Sequence, residues 1–180
     1  MEKEARENFL KIWPIGQFPV LQDDQRKQII PQSTVIIEYL QIHYPGPMKL
    51  IPSDTELALE TRRWNEFFDD YIHVQMQKIV SNRIRPAADV DALGEVEARK
   101  RIATAYEIIE KRMEGKKWMV GENFSMADCA ASPALFYGNK IESFEKSHPN
   151  LNAYLERLKL RPSFARVLVE AEPYFKFFPS

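Results

Sequence analysis

The sequence predicts an α+β to mostly α protein, in which a short part with strands and helices precedes an all-helical bundle. Residues 1–46 are short segments broken by prolines, and one apolar segment has the length of a strand. Residues 55–180 carry apolar stripes at spacings of three and four, which is the period of a helix. We therefore predict two domains, residues 1–46 and 55–180, joined by a linker of residues 47–54.

The first part predicts the order helix, strand, strand, helix. A helix over Glu2–Ile12 is expected to end at Trp13-Pro14, because a proline disfavours the helical conformation of the residue before it. The apolar run Phe18–Gln22 predicts a strand, and Gln28–Ile30 predicts its hairpin partner. A helix over Ser33–Tyr44 follows, terminated by the next prolines.

The second part predicts helices in series. One apolar stripe indicates a single long helix from about Thr55 to Asn82, and it consists of Trp64, Phe68, Ile72, Met76 and Ile79. A second stripe indicates a helix from about Ala92 to Glu114. Three more helices are predicted: one from Ser125, one around residues 151–158 and one around residues 164–168. Helices joined by short connections bury such stripes against each other, so we predict a bundle.

Composition excludes several classes of function. The net charge is −1, from 25 basic and 26 acidic residues without a block of one sign, which argues against nucleic acid or an anionic membrane as partner. No apolar run approaches the roughly 20 residues of a membrane span. The single cysteine, Cys129, excludes a disulfide framework, and the three histidines lack metal-ligand spacing. We expect a cytoplasmic protein without a metal, in which Cys129 is a buried apolar residue rather than a nucleophile.

The clearest local signal in the helical part is a helix start. Ser125 is predicted as the N-cap, and Asp128, three residues later, can bond back to the Ser125 N–H. Asp128 also lies near the positive end of the helix dipole. We expect this pair to serve folding rather than chemistry.

Three motifs together resemble the glutathione transferase family. Trp118-Met119-Val120-Gly121 followed by Phe124-Ser125-Met126-Ala127-Asp128 resembles the capped core helix of the family's second domain. Trp13-Pro14-Ile15-Gly16-Gln17-Phe18-Pro19-Val20-Leu21 resembles its Asn-Pro-x-Gly-Lys/Gln-Val-Pro-x-Leu segment, and Pro31-Gln32-Ser33 resembles its Glu-Ser motif. The resemblance implies a thioredoxin-like glutathione-binding domain followed by an all-helical domain. It also implies that the chain is truncated, because the opening β-α-β unit takes about 30 residues that have no counterpart before Glu2.

The resemblance implies a glutathione site. A cis bond at Phe18-Pro19 would turn the Phe18 backbone outward to pair with the cysteinyl part of glutathione, as a strand edge pairs with a peptide. Ser33, at a helix start, would hold the γ-glutamyl carboxylate, with Gln32 bonding the same group and Gln17 adding a polar contact. Two plainer interpretations stay open from the residues alone. Pro19 could be an ordinary trans proline, and Ser33 could be only an N-cap.

The resemblance further implies a homodimer that conjugates the thiolate of glutathione, its co-substrate, to a small electrophile. The family's thiol-activating Tyr, Ser or Cys belongs to the opening unit, so no catalytic residue is assigned here. Tyr71, Gln75 and Tyr106 are candidates for lining an electrophile pocket between the domains, by fold analogy alone. The alternatives are a non-catalytic binding or assembly module of the same fold, or a glutathione-dependent reductase or isomerase.

Overall fold

The computed structural model describes residues 3–179, which form two compact units that divide between Ile51 and Pro52. The first unit consists of α1 (Lys3–Ile12), β1 (Val20–Asp23), β2 (Gln28–Pro31) and α2 (Ser33–His43). The second consists of α3 (Thr55–Phe68), a π-helical turn (Asp69–His73), α4 (Val74–Arg83), α5 (Ala92–Met113), α6 (Met126–Ile141), α7 (Pro149–Lys159) and α8 (Pro162–Ala171), with 3-10 helices at Ala87–Asp89 and Glu172–Phe177. The predicted hairpin is present, and so are the predicted helices except that the one expected over residues 55–82 is interrupted. Glu2, the predicted start of the first helix, lies outside the described residues.

The hairpin of the first unit is tied to α2 by one carboxylate. β1 and β2 are antiparallel, with Val20 opposite Pro31 at one end. At the other end, the Asp23 carboxylate accepts hydrogen bonds from the hydroxyls of Tyr39 at 2.8 Å and Tyr44 at 2.7 Å. The bond from Tyr44 is the largest influence on Asp23 and holds the pKa of its carboxyl below the ordinary value, although burial opposes it. The hairpin and α2 therefore form one small unit held by polar bonds.

The core of the second unit lies among α3 to α7. Its largest side chains with less than 2% exposure include Phe68, Ile72, Ile79, Ile102, Ile109, Met119, Leu135, Phe144 and Leu151. They come from every predicted apolar stripe up to α7, so the bundle buries the faces that the sequence periodicity indicates.

The long helix predicted for residues 55–82 is not a uniform α-helix. A π-helical turn, Asp69–His73, separates α3 from α4. Phe68, Ile72 and Met76 follow one another at steps of four, and each such step advances an α-helix by about 40° more than a full turn. A straight α-helix would rotate these side chains away from the core. The π turn has more residues per turn and offsets that drift, so the three are 0%, 0% and 2% exposed.

The capping box predicted at Ser125 and Asp128 is present at the start of α6. The Asp128 carboxylate accepts from the Ser125 N–H at 2.8 Å and from the Ser125 hydroxyl at 3.0 Å. It also accepts from the Met119 N–H at 2.9 Å and from the Tyr154 hydroxyl at 2.6 Å. Burial raises the pKa of Asp128 in spite of these bonds. One buried carboxylate therefore joins the α6 start, the preceding loop and α7.

The end of the chain packs on the bundle. Phe175 and Phe178 lie against the rings of Phe136 and Tyr137 on α6, with centroids 5.4 Å apart for Phe136–Phe175 and 5.1 Å apart for Tyr137–Phe178. Arg83 donates a hydrogen bond of 2.8 Å to the carbonyl of Pro179. Across residues 3–179, no helix combines the length and the apolar character that crossing a bilayer requires.

Candidate functional site

The first unit contains a cavity of about 340 Å³ between the loop before β1 and the start of α2. Its lining residues are Trp13, Gly16, Gln17, Phe18, Pro19, Pro31 and Gln32. Gln17, Phe18, Pro19 and Gln32 thus share one cavity although they come from two separate sequence motifs. Ser33, the remaining predicted site residue, is the next residue along the chain but is not part of the cavity wall.

Unusual backbone conformations bound this cavity on both sides. The peptide bond between Phe18 and Pro19 is cis. Gly16 has φ +73°, which glycine adopts freely, whereas Gln32 has φ +72°, which is uncommon for a residue with a side chain. A positive φ at a residue with a side chain persists where the surrounding structure holds it, and ligand-binding sites are one such place. The backbone of Gln32 therefore supports a binding role for this residue.

The amino end of α2 has polar groups that the helix itself does not use. Gln32 is the N-cap residue, its carbonyl accepts from the Ile36 N–H at 2.9 Å, and its side chain makes no capping bond. Ser33 is the first helical residue, so the interpretation of Ser33 as an N-cap is wrong. Within residues 3–179 the Ser33 hydroxyl has no hydrogen-bond partner. An exposed helix start with an uncommitted amide and hydroxyl is suited to an anionic ligand group.

The cavity wall is electrically neutral. Its polar side chains are the two amides of Gln17 and Gln32, and its apolar surfaces are the rings of Trp13 and Phe18 together with two prolines. Amides and backbone groups bind peptide-like ligands through hydrogen bonds, while the rings supply contact area. None of the lining side chains carries a hydroxyl, thiol, carboxylate or imidazole, so this wall can bind a ligand but has no general acid, base or nucleophile of its own.

A larger cavity, of about 730 Å³, lies in the second unit beside α5. It is lined by Phe67, Tyr71, Glu97, Lys100, Arg101, Thr104, Ala105 and Ile108. Tyr71 lies on the wall of this cavity, whereas Gln75 and Tyr106 do not, and the electrophile pocket between the domains stays a prediction. Gln75 is 4% exposed and donates to the Asp70 carbonyl at 2.8 Å, and Tyr106 is 2% exposed in the core. Both lie on the inner faces of their helices, which the analogy did not take into account.

Cys129 is not suited to act as a nucleophile. Burial raises the pKa of the Cys129 thiol to about 11, so the thiol is protonated near neutral pH and is a poor nucleophile. Among residues 3–179, no three His, Cys, Asp or Glu side chains come together in a way that could hold a metal ion.

Two family models match the chain and together cover more than half of it. The model for the glutathione S-transferase N-terminal domain matches residues 1–48, and the model for the C-terminal domain matches residues 74–162. The chain belongs to the glutathione S-transferase family. The glutathione S-transferase-like protein LUC7 of a Fusarium species is 28% identical over 125 residues, which are 69% of this chain and 56% of that protein. Glutathione S-transferase GstB of Escherichia coli K12 is 23% identical over 163 residues, which are 90% of this chain and 78% of GstB.

Solved glutathione S-transferases have the same fold. The enzyme from Methylobacillus flagellatus, solved with GSH bound, is 26% identical and superposes with a TM-score of 0.79 over 87% of this chain and 78% of its own. The enzyme from Methylobacterium radiotolerans, solved in complex with glutathione sulfonate, is 27% identical with a TM-score of 0.74 over 87% of this chain and 74% of its own. A helix-rich glutathione S-transferase fold with a small two-stranded sheet is therefore established for this chain.

Sequence reasoning did not single out Trp13, Gly16 or Pro31 as cavity residues. All three lie inside the motifs that carry the family resemblance, so the signal was present in the residues flanking those chosen. A cavity is closed by backbone and apolar surface as well as by hydrogen-bonding groups, and the polar residues of a motif reveal only part of it.

Proposed function

We propose that this chain binds glutathione in the cavity of its first unit, and that the whole transferase conjugates the thiolate of glutathione to a small electrophile. The supporting observation is that Gln17, Phe18, Pro19 and Gln32 line one cavity beside the amino end of α2. The Methylobacillus flagellatus relative has GSH bound, which supports the same ligand here. We also propose that the first unit is the second half of a thioredoxin-like domain, because its order is helix, strand, strand, helix.

Glutathione is a tripeptide with a carboxylate at each end. We propose that the Phe18 backbone pairs with its cysteinyl residue, and that Gln32 and Ser33 hold the γ-glutamyl carboxylate at the start of α2. The helix dipole favours a negative group at this position. Gln17, which lines the same cavity, would bond the remaining part of the peptide.

Conjugation needs the thiol of glutathione to ionise. A thiol with a pKa of about 8.5 is mostly protonated at neutral pH, and a donor hydroxyl or thiol directed at the sulfur lowers that pKa. We assign no residue of this chain to that role. Because no lining side chain carries such a donor, a second candidate is a non-catalytic glutathione-binding or assembly module. Turnover of glutathione with an aryl halide above the uncatalysed rate would favour the transferase.

Calorimetric titration of the chain with glutathione tests the proposed site. We expect saturable binding that weakens about tenfold in Ser33→Ala, because a hydrogen bond to a charged group contributes about 1.5 kcal/mol or more. We expect a similar loss in Gln32→Gly, which removes the amide while glycine retains the positive φ. Gln25→Ala, which changes an exposed glutamine outside the cavity, is the matched control and should bind as the parent does.

Two results would contradict the proposed site. Absence of glutathione binding at millimolar concentration would contradict glutathione as the ligand. Unchanged affinity in both Ser33→Ala and Gln32→Gly would be compatible with glutathione as the ligand but would contradict the binding role of the α2 start.

We further propose that the chain forms a homodimer through the larger cavity of the second unit. This surface combines exposed apolar groups, among them Tyr71 at 49% and Ile108 at 44% exposure, with Glu97 and Arg101 one helical turn apart on α5. Charges of both signs on one face can pair with their own copies across a two-fold axis. The same face on each subunit would then meet itself.

Sedimentation of the chain at micromolar concentration tests the dimer. We expect twice the 21.1 kDa chain mass for the parent and the monomer mass for Tyr71→Glu, which puts a charge into the apolar part of the face. The double change Glu97→Arg with Arg101→Glu exchanges the charges and should restore pairing that Arg101→Glu alone weakens. Val169→Glu, at a 70% exposed site on α8, is the control. A monomeric parent, or a Tyr71→Glu variant as dimeric as the control, would contradict this interface.

A further inference from the structure

The cavity of the first unit differs in chemistry between its two ends. One end is the start of α2, where the helix dipole and the amide and hydroxyl of Ser33 suit a carboxylate. The other end is the loop before β1, where Trp13, Gly16 and Gln17 form the wall. The polar side-chain groups of this loop end are the Gln17 amide and the Trp13 indole N–H, and both are neutral.

The positive charges nearest to this loop in sequence lie outside the cavity wall. Lys11 is two residues before Trp13, and its ammonium group donates a hydrogen bond of 3.0 Å to the Asn8 side chain on α1. On the other side of the loop the next cation is Arg26, in the turn between β1 and β2. Neither cation is a wall residue. Within residues 3–179, the loop end of the cavity therefore offers hydrogen bonds without a charge.

The two carboxylates of glutathione lie on opposite sides of its cysteinyl residue. With that residue at Phe18 and the γ-glutamyl carboxylate at the start of α2, the glycyl carboxylate would lie at the loop end with Gln17. An amide N–H donates to a carboxylate and equally to the carbonyl oxygen of an ester or a peptide. Because Gln17 is exposed, a carboxylate beside it keeps water around it and costs little to leave without a charged partner.

We propose that this chain recognises the γ-glutamylcysteinyl part of glutathione and does not recognise the charge of its glycyl end. The substrate class is then the γ-glutamylcysteinyl thiols, including those whose glycyl carboxyl carries an ester, an amide or a further residue. Gln17 determines this tolerance, because a cation in its place would pair with a free carboxylate and not with an ester. The inference rests on the glutathione site proposed above and specifies which part of the ligand that site distinguishes.

Calorimetric titration of the chain with three thiols tests this specificity. The probes are glutathione, its glycyl monoethyl ester and the dipeptide cysteinylglycine, which lacks the γ-glutamyl group. We expect the ester to bind within about threefold of glutathione, because an exposed carboxylate without a charged partner contributes little. We expect cysteinylglycine to bind about tenfold or more weakly, because it lacks the carboxylate that the start of α2 would hold.

Gln17→Lys tests the role of Gln17 by adding a charge to the loop end. This variant should bind glutathione about threefold more tightly than the parent, which is the effect of an exposed ion pair, and should bind the ester as the parent does. Gln25→Lys adds the same charge at an exposed glutamine outside the cavity, and this matched control should bind both ligands as the parent does. Lys11→Gln should leave the affinity for glutathione unchanged.

The outcomes separate this specificity from the glutathione site itself. If glutathione bound and its ester bound about tenfold or more weakly, the specificity would be overturned while the site would stand. A similar loss of glutathione affinity in Lys11→Gln would also overturn it, because Lys11 would then be the partner of the glycyl carboxylate. So would equal binding of cysteinylglycine and glutathione, or a Gln17→Lys variant with the same change, or no change, for both glutathione and the ester. Absence of glutathione binding would contradict the site and the specificity together.

Discussion

Replacing Asp128 with alanine is expected to lower the free energy of unfolding of the helical unit by about 3 kcal/mol or more. The carboxylate is 0% exposed and accepts four hydrogen bonds, from the N–H and hydroxyl of Ser125, the N–H of Met119 and the hydroxyl of Tyr154. Its removal leaves these donors buried without an acceptor, and each such group costs about 1–3 kcal/mol. Urea unfolding followed by far-UV circular dichroism measures the loss.

Asp54→Ala is the matched control, because Asp54 is also an aspartate that caps a helix but is exposed. Its Oδ1 accepts one bond, from the Leu57 N–H at 2.9 Å, so its removal should cost about 0.5–2 kcal/mol. Tyr154→Phe removes a single donor to Asp128 and should fall between the two aspartate variants. If Asp128→Ala cost no more than Asp54→Ala, the Asp128 bonds would not stabilise the unit beyond an ordinary cap.

The contacts of Asp128 show which parts of a fold can be predicted from sequence and which cannot. The pairing of Ser125 with Asp128 is predictable because a capping box joins residues three apart. The bonds from Met119 and Tyr154 were not predicted, since their donors lie 9 and 26 residues from Asp128 and meet it only after α6 and α7 have packed. The π turn Asp69–His73 was not predicted for a related reason. An apolar stripe shows which residues are buried, but not how the backbone adjusts to keep them facing the core.

The candidate site also has features that the sequence predicts and features that it does not. The motifs around Gln17, Phe18 and Gln32 point to a ligand because their residue types occur in a recognisable order, and the structure brings those residues to one cavity. The position of Ser33 outside the cavity wall depends on where α2 begins, and helix boundaries are uncertain by one or two residues from sequence. The positive φ of Gln32 is set by the turn between β2 and α2, and no side-chain pattern reveals it.

Gly138→Ala is expected to destabilise the helical unit by about 2 kcal/mol, although alanine is the better helix former by about 1 kcal/mol. Gly138 lies in α6 where it crosses Tyr106 of α5. A Cβ added there would come within 2.7 Å of the Tyr106 hydroxyl oxygen and 3.3 Å of Ile72 Cγ2. The first distance is far below van der Waals contact, and Tyr106, 2% exposed, has no room to move away. Thermal and urea unfolding measure the effect.

Tyr106→Phe serves as both control and rescue. The Tyr106 hydroxyl is buried with no hydrogen-bond partner among residues 3–179, so its removal alone should be neutral or stabilising by up to about 1 kcal/mol. In the Tyr106→Phe background the closest contact of the new Cβ becomes Ile72 Cγ2 at 3.3 Å, and the cost of Gly138→Ala should fall below about 1 kcal/mol. A double-mutant cycle should therefore give a coupling of about 1 kcal/mol or more between the two positions. Equal costs of Gly138→Ala in the two backgrounds would mean that Gly138 is required by the neighbouring backbone rather than by the hydroxyl.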